Sequence, residues 1–137
     1  MLKAVIDTSV LISGVYITKG KPARVLELAR KKAMQNITSP FILAELDRIL
    51  RDKFLWDEKK TMRIVGWVRS FSEIVQPEES LSVISHASDN RILECALAGG
   101  ADFIISGDSH LTDLECYQGV KIVNPAAFLD AIEEREE

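Results

Sequence analysis

The chain has 137 residues, 47% of them hydrophobic and 28% charged, the composition of one ordinary globular domain over 1–137 with an acidic end expected to fray over 133–137. Its two cysteines, Cys95 and Cys116, have no partners at metal-ligand spacing, which excludes a disulfide scaffold and a zinc finger and points to core or semi-core thiols of a reduced, cytoplasmic protein. The apolar start is too short for a signal peptide, the uncharged stretch from Thr8 to Thr18 is too short to span a bilayer, and the net charge of −4 argues at first sight against polyanions.

Lys3 to Ile6 reads as a short buried strand, and a helix follows from Ser9 to about Tyr16. A loop at 19–22 leads into a second helix, with Pro22 in its first turn. Asn36-Ile37-Thr38 is a second strand. Ser39-Pro40 then supplies an N-cap and a first helical proline for a helix from Phe41 to about Phe54. A fourth helix runs from Asp57 to about Phe71, and Glu73 to Pro77 reads as a weak third strand. Residues 80–86 are open between strand and loop. Ser88 to Ala98 is a helix stopped by Gly99-Gly100, with Ser88 as its expected cap. Asp102 to Ser106 is an apolar strand, 109–114 a short helix, and Lys121-Ile122-Val123 a last strand before a helix opened by Pro125. Short apolar strands alternating with helices predict an α/β fold with a mostly parallel sheet covered on both faces. Ligands of such sheets bind at the carboxyl ends of the strands.

Four acids stand at positions where that rule matters. Asp7 directly follows the first strand and Asp108 follows the 102–106 strand by one glycine, so adjacent parallel strands would bring both to one edge. Taken singly, each reads as a helix cap. Glu45 flanks the stripe formed by Ile42, Leu46 and Ile49, where a charge is costly unless paired with Arg48 or Arg51 or bound to a cation. Asp89 continues the stripe of Ile92, Leu93 and Ala96 by one turn, which puts it against the sheet at a helix start. Carboxylates about 4 Å apart repel by roughly 4 kcal/mol per pair at an effective dielectric near 20. A hard divalent cation, Mg²⁺ or Mn²⁺, relieves that repulsion with oxygen ligands. His86 and His110 lie in loops and read as solvated, and Trp56 and Trp67 read as packing or interface residues.

The charge is unevenly spread. Residues 1–72 carry 14 lysines and arginines against 7 acids, and residues 73–137 carry 3 against 14. A basic half fits either solvated helix faces or an RNA backbone held by Lys19, Lys21, Arg24, Arg48, Arg51 and Lys53, which the sequence does not rank. In the fourth helix, Ile64, Trp67 and Phe71 share one side while Met62, Val65 and Val68 fall elsewhere, a pattern that predicts a homodimer or a partner chain.

The segments Ala4–Ser13, Ser39–Leu46, Asp89–Ala98 and Ala101–Asp108, with Val120–Leu129 at the end, resemble in order the motifs of PIN domains. The resemblance spans nearly the whole chain. It implies a three-layer α/β/α sandwich and a Mg²⁺- or Mn²⁺-dependent ribonuclease that leaves a 5′-phosphate and a free 3′-hydroxyl. It points in particular to the small toxin ribonucleases of prokaryotic toxin–antitoxin pairs, VapC-like proteins that often dimerise and bind an antitoxin. On that pattern Asp7, Glu45, Asp89 and Asp108 are the acidic metal set, and Thr8, Ser9 and Ser106 match positions that help bind metal water or phosphate. Two positions depart from it: Ser9 stands where many relatives have Asn, and His86-Ala87-Ser88 stands where many carry extra acids. These departures are the main support for an alternative, a non-catalytic RNA- or protein-binding relative. A phosphoacceptor receiver or an Asp-x-Asp phosphatase lacks support, because Asp7-Thr8-Ser9 provides no second acid.

Overall fold

The computed structural model describes residues 1–136. Strand β1 (Lys3–Ile6) opens the sheet, and Ala4, Val5 and Ile6 are fully buried. Successive strand residues point to opposite faces, so the sheet is covered on both. Helices α1 (Thr8–Tyr16) and α2 (Lys21–Arg30) follow, with Pro22 in the first turn of α2. Strand β2 (Gln35–Thr38) leads to α3 (Pro40–Asp52), which starts where the sequence placed it: the Ser39 hydroxyl accepts from the Ile42 amide at 3.3 Å. Helix α4 (Glu58–Ser70) begins at Asp57, whose Oδ1 accepts from the Lys60 amide at 2.7 Å.

Strand β3 (Ser72–Ile74) is shorter and earlier than the expected 73–77. Its position is set from outside. Asn36 Nδ2 donates to Ser72 Oγ at 2.7 Å, and that hydroxyl donates to the Val68 carbonyl at 2.6 Å, so β2 and α4 together fix where the strand begins. Residues 80–86 form no strand. Helix α5 (Ala87–Gly99) is capped by His86, with Ser88 inside its first turn rather than at the cap, and stops at Gly100, whose φ of 64° suits glycine. Strand β4 (Phe103–Ile105) and the single turn α6 (Ser109–Thr112) follow. The two-residue strand β5 (Cys116–Tyr117) was not expected; it pairs antiparallel with β6 (Val120–Val123). Helix α7 (Pro125–Glu136) is regular as far as Glu136, and Glu137 lies outside the described residues.

The sheet order is β3-β2-β1-β4-β6-β5, parallel except for the β5–β6 pair. The chain passes from β1 outward through β2 to β3, then returns along α5 to place β4 on the other side of β1. The order therefore reverses between β1 and β4, the switch point at which open α/β sheets form a ligand crevice. Helix α5 packs against β1, β2 and β4, α1 packs on α2 and α3, and α7 packs on β6 and α2. The result is the mostly parallel α/β sandwich that the alternation predicts.

Two packing expectations need correction. Cys95 is buried, and burial pushes its thiol up to about 12 against a hydrogen bond from Ser39, but Cys116 is exposed because β5 is an edge strand. Val68 belongs to the domain core, fully buried with Phe71, and so offers no second surface; Trp67 is half-buried, edge-on to Phe71 at 5.0 Å. No helix among the described residues is long and apolar enough to cross a membrane.

Candidate active site

Asp7 stands at the carboxyl end of β1, in the N-cap position of α1, yet its carboxylate makes no cap bond. Its Oδ2 instead accepts from Ser106 Oγ at 2.7 Å and from Ser9 Oγ at 3.3 Å. Its amide donates to the Ile105 carbonyl at 2.9 Å, extending the β1–β4 ladder past the strand end. Ser106 is fully buried, and its Oγ also accepts from the Asp108 amide at 3.0 Å. One buried hydroxyl thus ties the Asp7 carboxylate to the turn that carries Asp108. The capping reading fails for Asp7 and holds for Asp108, whose Oδ1 accepts from the His110 amide at 2.9 Å.

Glu45 projects half-buried from α3, beside buried Ile42 and Leu46. It forms no ion pair among the described residues, and Arg51, a possible partner by sequence, binds Asp47 at 2.7 Å. Asp89 lies in the first turn of α5, only 6% exposed, and its Oδ2 is buried with no hydrogen-bond partner. Thr8 Oγ1 and Thr38 Oγ1, at the carboxyl ends of β1 and β2, are buried and unpartnered as well. An orphaned buried carboxylate oxygen is costly. Among neighbouring acids the partner that suits it is a cation, so the donor set fits a hard divalent ion.

The acids act on one another's protonation in pairs. Burial raises Asp7 above its ordinary range and the Glu45 charge adds to this, against the hydrogen bonds from Ser106, the Thr8 amide and Ser9. Burial also raises Asp89, reinforced by the charges of Asp108 and Asp7. Burial alone would raise Asp108, but the hydrogen bonds from the backbone and ring of His110 outweigh it and hold that carboxyl below its ordinary value. The Glu45 charge thus acts on Asp7, and the charges of Asp108 and Asp7 act on Asp89.

His86 lies in the loop before α5 as expected from sequence, whereas His110 falls in the single turn α6. Both rings are exposed, but they lie 4.0 Å apart, tilted by 47°, and His110 Nδ1 is 3.0 Å from Asp108 Oδ1. The one available signal was their spacing, His86 three residues before Asp89 and His110 two after Asp108. The tryptophans pack as expected: Lys60 Nζ lies 4.0 Å above the Trp56 ring, which stacks on Tyr16. Beside Asp108 the crevice opens into a cavity of about 680 Å³, lined in part by Ser9, Ser13, Lys21 and Asn124. Of the basic candidates, Lys21 lines this cavity, whereas Arg51 is paired with Asp47 and Arg24 lies 3.8 Å from Glu133.

The chain is similar in sequence or in fold to known proteins. Among curated sequences, Uncharacterized protein MJ1680 of Methanocaldococcus jannaschii is 35% identical over 118 residues, which covers 82% of this chain and 75% of that protein. Among solved structures, VapBC2 from Rickettsia felis, bound to a DNA fragment from their promoter, superposes with a TM-score of 0.65 at 14% identity, over 90% of this chain and 98% of the other. PAE2754 from Pyrobaculum aerophilum gives 0.63 at 12% identity, over 97% and 90%. VapBC-1 from nontypeable Haemophilus influenzae gives 0.58 at 15% identity, over 91% and 99%. The PIN domain pattern matches residues 3–110, a span that holds all four acids and the Ser106 bridge, and the chain belongs to the PIN domain family.

Proposed function

We propose that the protein is a Mg²⁺- or Mn²⁺-dependent endoribonuclease, the toxin component of a toxin–antitoxin pair. The observation that carries this reading is the buried, unpartnered Oδ2 of Asp89 beside Asp7 and Asp108, themselves joined through one buried hydroxyl. Asp7, Glu45, Asp89 and Asp108 would hold the ion. When bound it polarises the scissile phosphate and lowers the pKa of its water. The chain supplies the rest. Ser106 and Ser9 fix the Asp7 carboxylate by donating to Oδ2. The unpartnered Thr8 hydroxyl is free to bond a water or a phosphate oxygen, and Lys21 at the cavity edge meets the RNA backbone.

The VapBC assemblies among the structural neighbours support an antitoxin as partner. Exposed apolar side chains support a protein partner or a homodimer: Ile17 and Leu55 are 60% and 82% exposed, beside the aromatic cluster of Tyr16, Phe54 and Trp56, and Met62 on α4 is 59% exposed. A neighbouring gene for a small antitoxin would strengthen the assignment.

The test is cleavage of labelled RNA with Mg²⁺, with Mn²⁺ and with chelator. The expected result is metal-dependent cleavage that leaves 5′-phosphate ends and is abolished in Asp7→Asn while the fold is retained. Wild type that cleaves no RNA under any metal would favour the non-catalytic binding module.

A further inference from the structure

His86 stands at the N-cap of α5, three residues before Asp89. The fold brings His86 against a second histidine, His110, from the turn after β4. One potential ligand atom from each of His86, Asp89 and His110 lies within 4.8 Å of those of the other two. Bond lengths near 2.0–2.2 Å put ligand atoms roughly 3–4 Å apart around an ion. Small rotations of two exposed rings close the remaining distance.

A second observation points to the same place. Asp89 is 6% exposed, its Oδ2 is buried, and that oxygen has no donor. The surrounding polar groups are arranged as metal-ligating histidines require. Asp108 Oδ1 lies 3.0 Å from His110 Nδ1. An imidazole that donates Nδ1–H to a carboxylate has its Nε2 lone pair free for an ion and its ring orientation fixed. His86 occupies the N-cap of α5 but makes no side-chain cap bond, so its ring is not committed to the helix.

We propose that His86, His110 and Asp89 form a second divalent-metal site at the rim of the acidic crevice, one that takes a transition ion of the Co²⁺–Zn²⁺ class in preference to Mg²⁺. Imidazole nitrogen suits these ions, whereas Mg²⁺ takes oxygen ligands and keeps its waters. The site shares Asp89 with the acidic set and rests on the metal reading above through that residue alone. Its effect is on metal choice: the rim ion and the acid-bound ion occupy neighbouring positions bridged by one carboxylate. A chain with acids in place of His86 would accept the harder ion at both.

The experiment uses the full-length metal-free protein and three probes: Co²⁺ followed by its visible absorption, Zn²⁺ in competition with it, and Mg²⁺ by calorimetry. Wild type, His86→Ala, His110→Ala and the double variant are compared, with Asp7→Asn as the control for the acidic site. Wild type is expected to bind two Co²⁺ per chain with a nitrogen-ligand spectrum displaced by Zn²⁺. The double variant should lose one Co²⁺ or weaken it by about 100-fold or more, at least the upper end of what loss of a mere outer-shell partner costs. His86→Ala, which leaves Asp108 its contact with the His110 ring, should keep the wild-type Mg²⁺ affinity, and Asp7→Asn should retain the rim-site spectrum. Co²⁺ binding of wild-type stoichiometry and affinity in the double variant would overturn the proposal. So would an equal fall of Co²⁺ and Mg²⁺ affinity in His86→Ala, since His86 would then act on folding or general charge rather than as a ligand. Wild type that binds Co²⁺ through the histidines but cuts no RNA would leave this site standing and remove the ribonuclease reading.

Discussion

Asp7, 7% exposed at the end of β1, holds its carboxylate against the Ser106 hydroxyl at 2.7 Å. By sequence it is a helix cap or a site acid with equal ease, because both sit just after a strand. The structure separates the two, since the carboxylate bonds Ser106 and Ser9 and makes no side-chain cap bond to α1. Its burial has a consequence for stability. A carboxyl whose folded pKa is raised binds its proton more tightly folded than unfolded. Stability from that group is full below the unfolded value near 3.8 and is lost as pH rises through the raised value. Asp89 acts in the same sense and Asp108 in the opposite one. Metal-free Asp7→Asn should therefore melt at a higher temperature than wild type at pH 7, with the gain vanishing as the pH approaches 4. Melting curves across that range check it, and a gain that grows with acid would contradict the burial argument. The histidine pair was not legible at this scale, because the two residues are far apart in sequence and only the β4–α6 turn brings them together.

Elements were most legible where a local chemical signal set them. Ser39-Pro40 and Asp57 mark helix starts, and Gly100 marks a stop, each through a backbone need that one residue meets. Elements fixed by distant partners were not legible. Strand β3 begins where Asn36 and Val68 hold Ser72, and β5 exists because β6 offers it an edge. Gly99 belongs to the second group. Its sequence role reads as a helix stop, but it lies inside α5 against β2, and an added methyl would press into Ile37 Cγ2. Ile37 is fully buried and has no room to retreat. Gly99→Ala should cost about 1–3 kcal/mol, the usual range for overpacking a core. Urea denaturation measures this directly, and an unchanged midpoint would mean that α5 can shift on the sheet.

At the scale of the whole molecule, the alternation of strands and helices was enough to anticipate a mostly parallel sandwich, and the order of the sheet explains why one end of it carries the chemistry. Asp7 and Asp108 follow β1 and β4, the two strands at the switch point, and α2 brings Lys21 to the cavity beside Asp108. Sequence could not rank the cations because ranking depends on which of them are already paired. Lys21 lines the cavity beside Asp108. Lys21→Ala should weaken RNA binding uniformly across sequences and reduce the salt slope by about 0.7, the value for one single-strand phosphate contact. Binding isotherms at several salt concentrations check this; a slope identical to wild type would place the RNA elsewhere.

The account as a whole depends on the acidic crevice being a cation site. Four neighbouring carboxylates, two of them buried, repel when no ion is present, and an ion bound only by the folded chain stabilises it by RT ln(1 + [L]/Kd), about 2.7 kcal/mol at a hundred times Kd. The most direct measurement is the melting temperature at neutral pH as Mn²⁺ is titrated, in wild type and in Asp7→Asn. The account predicts a saturating rise in wild type, by several degrees for a stabilisation of that size, and a much smaller one in the variant. No shift in wild type up to ~10 mM Mn²⁺, well above the concentrations at which functional sites fill, would contradict it.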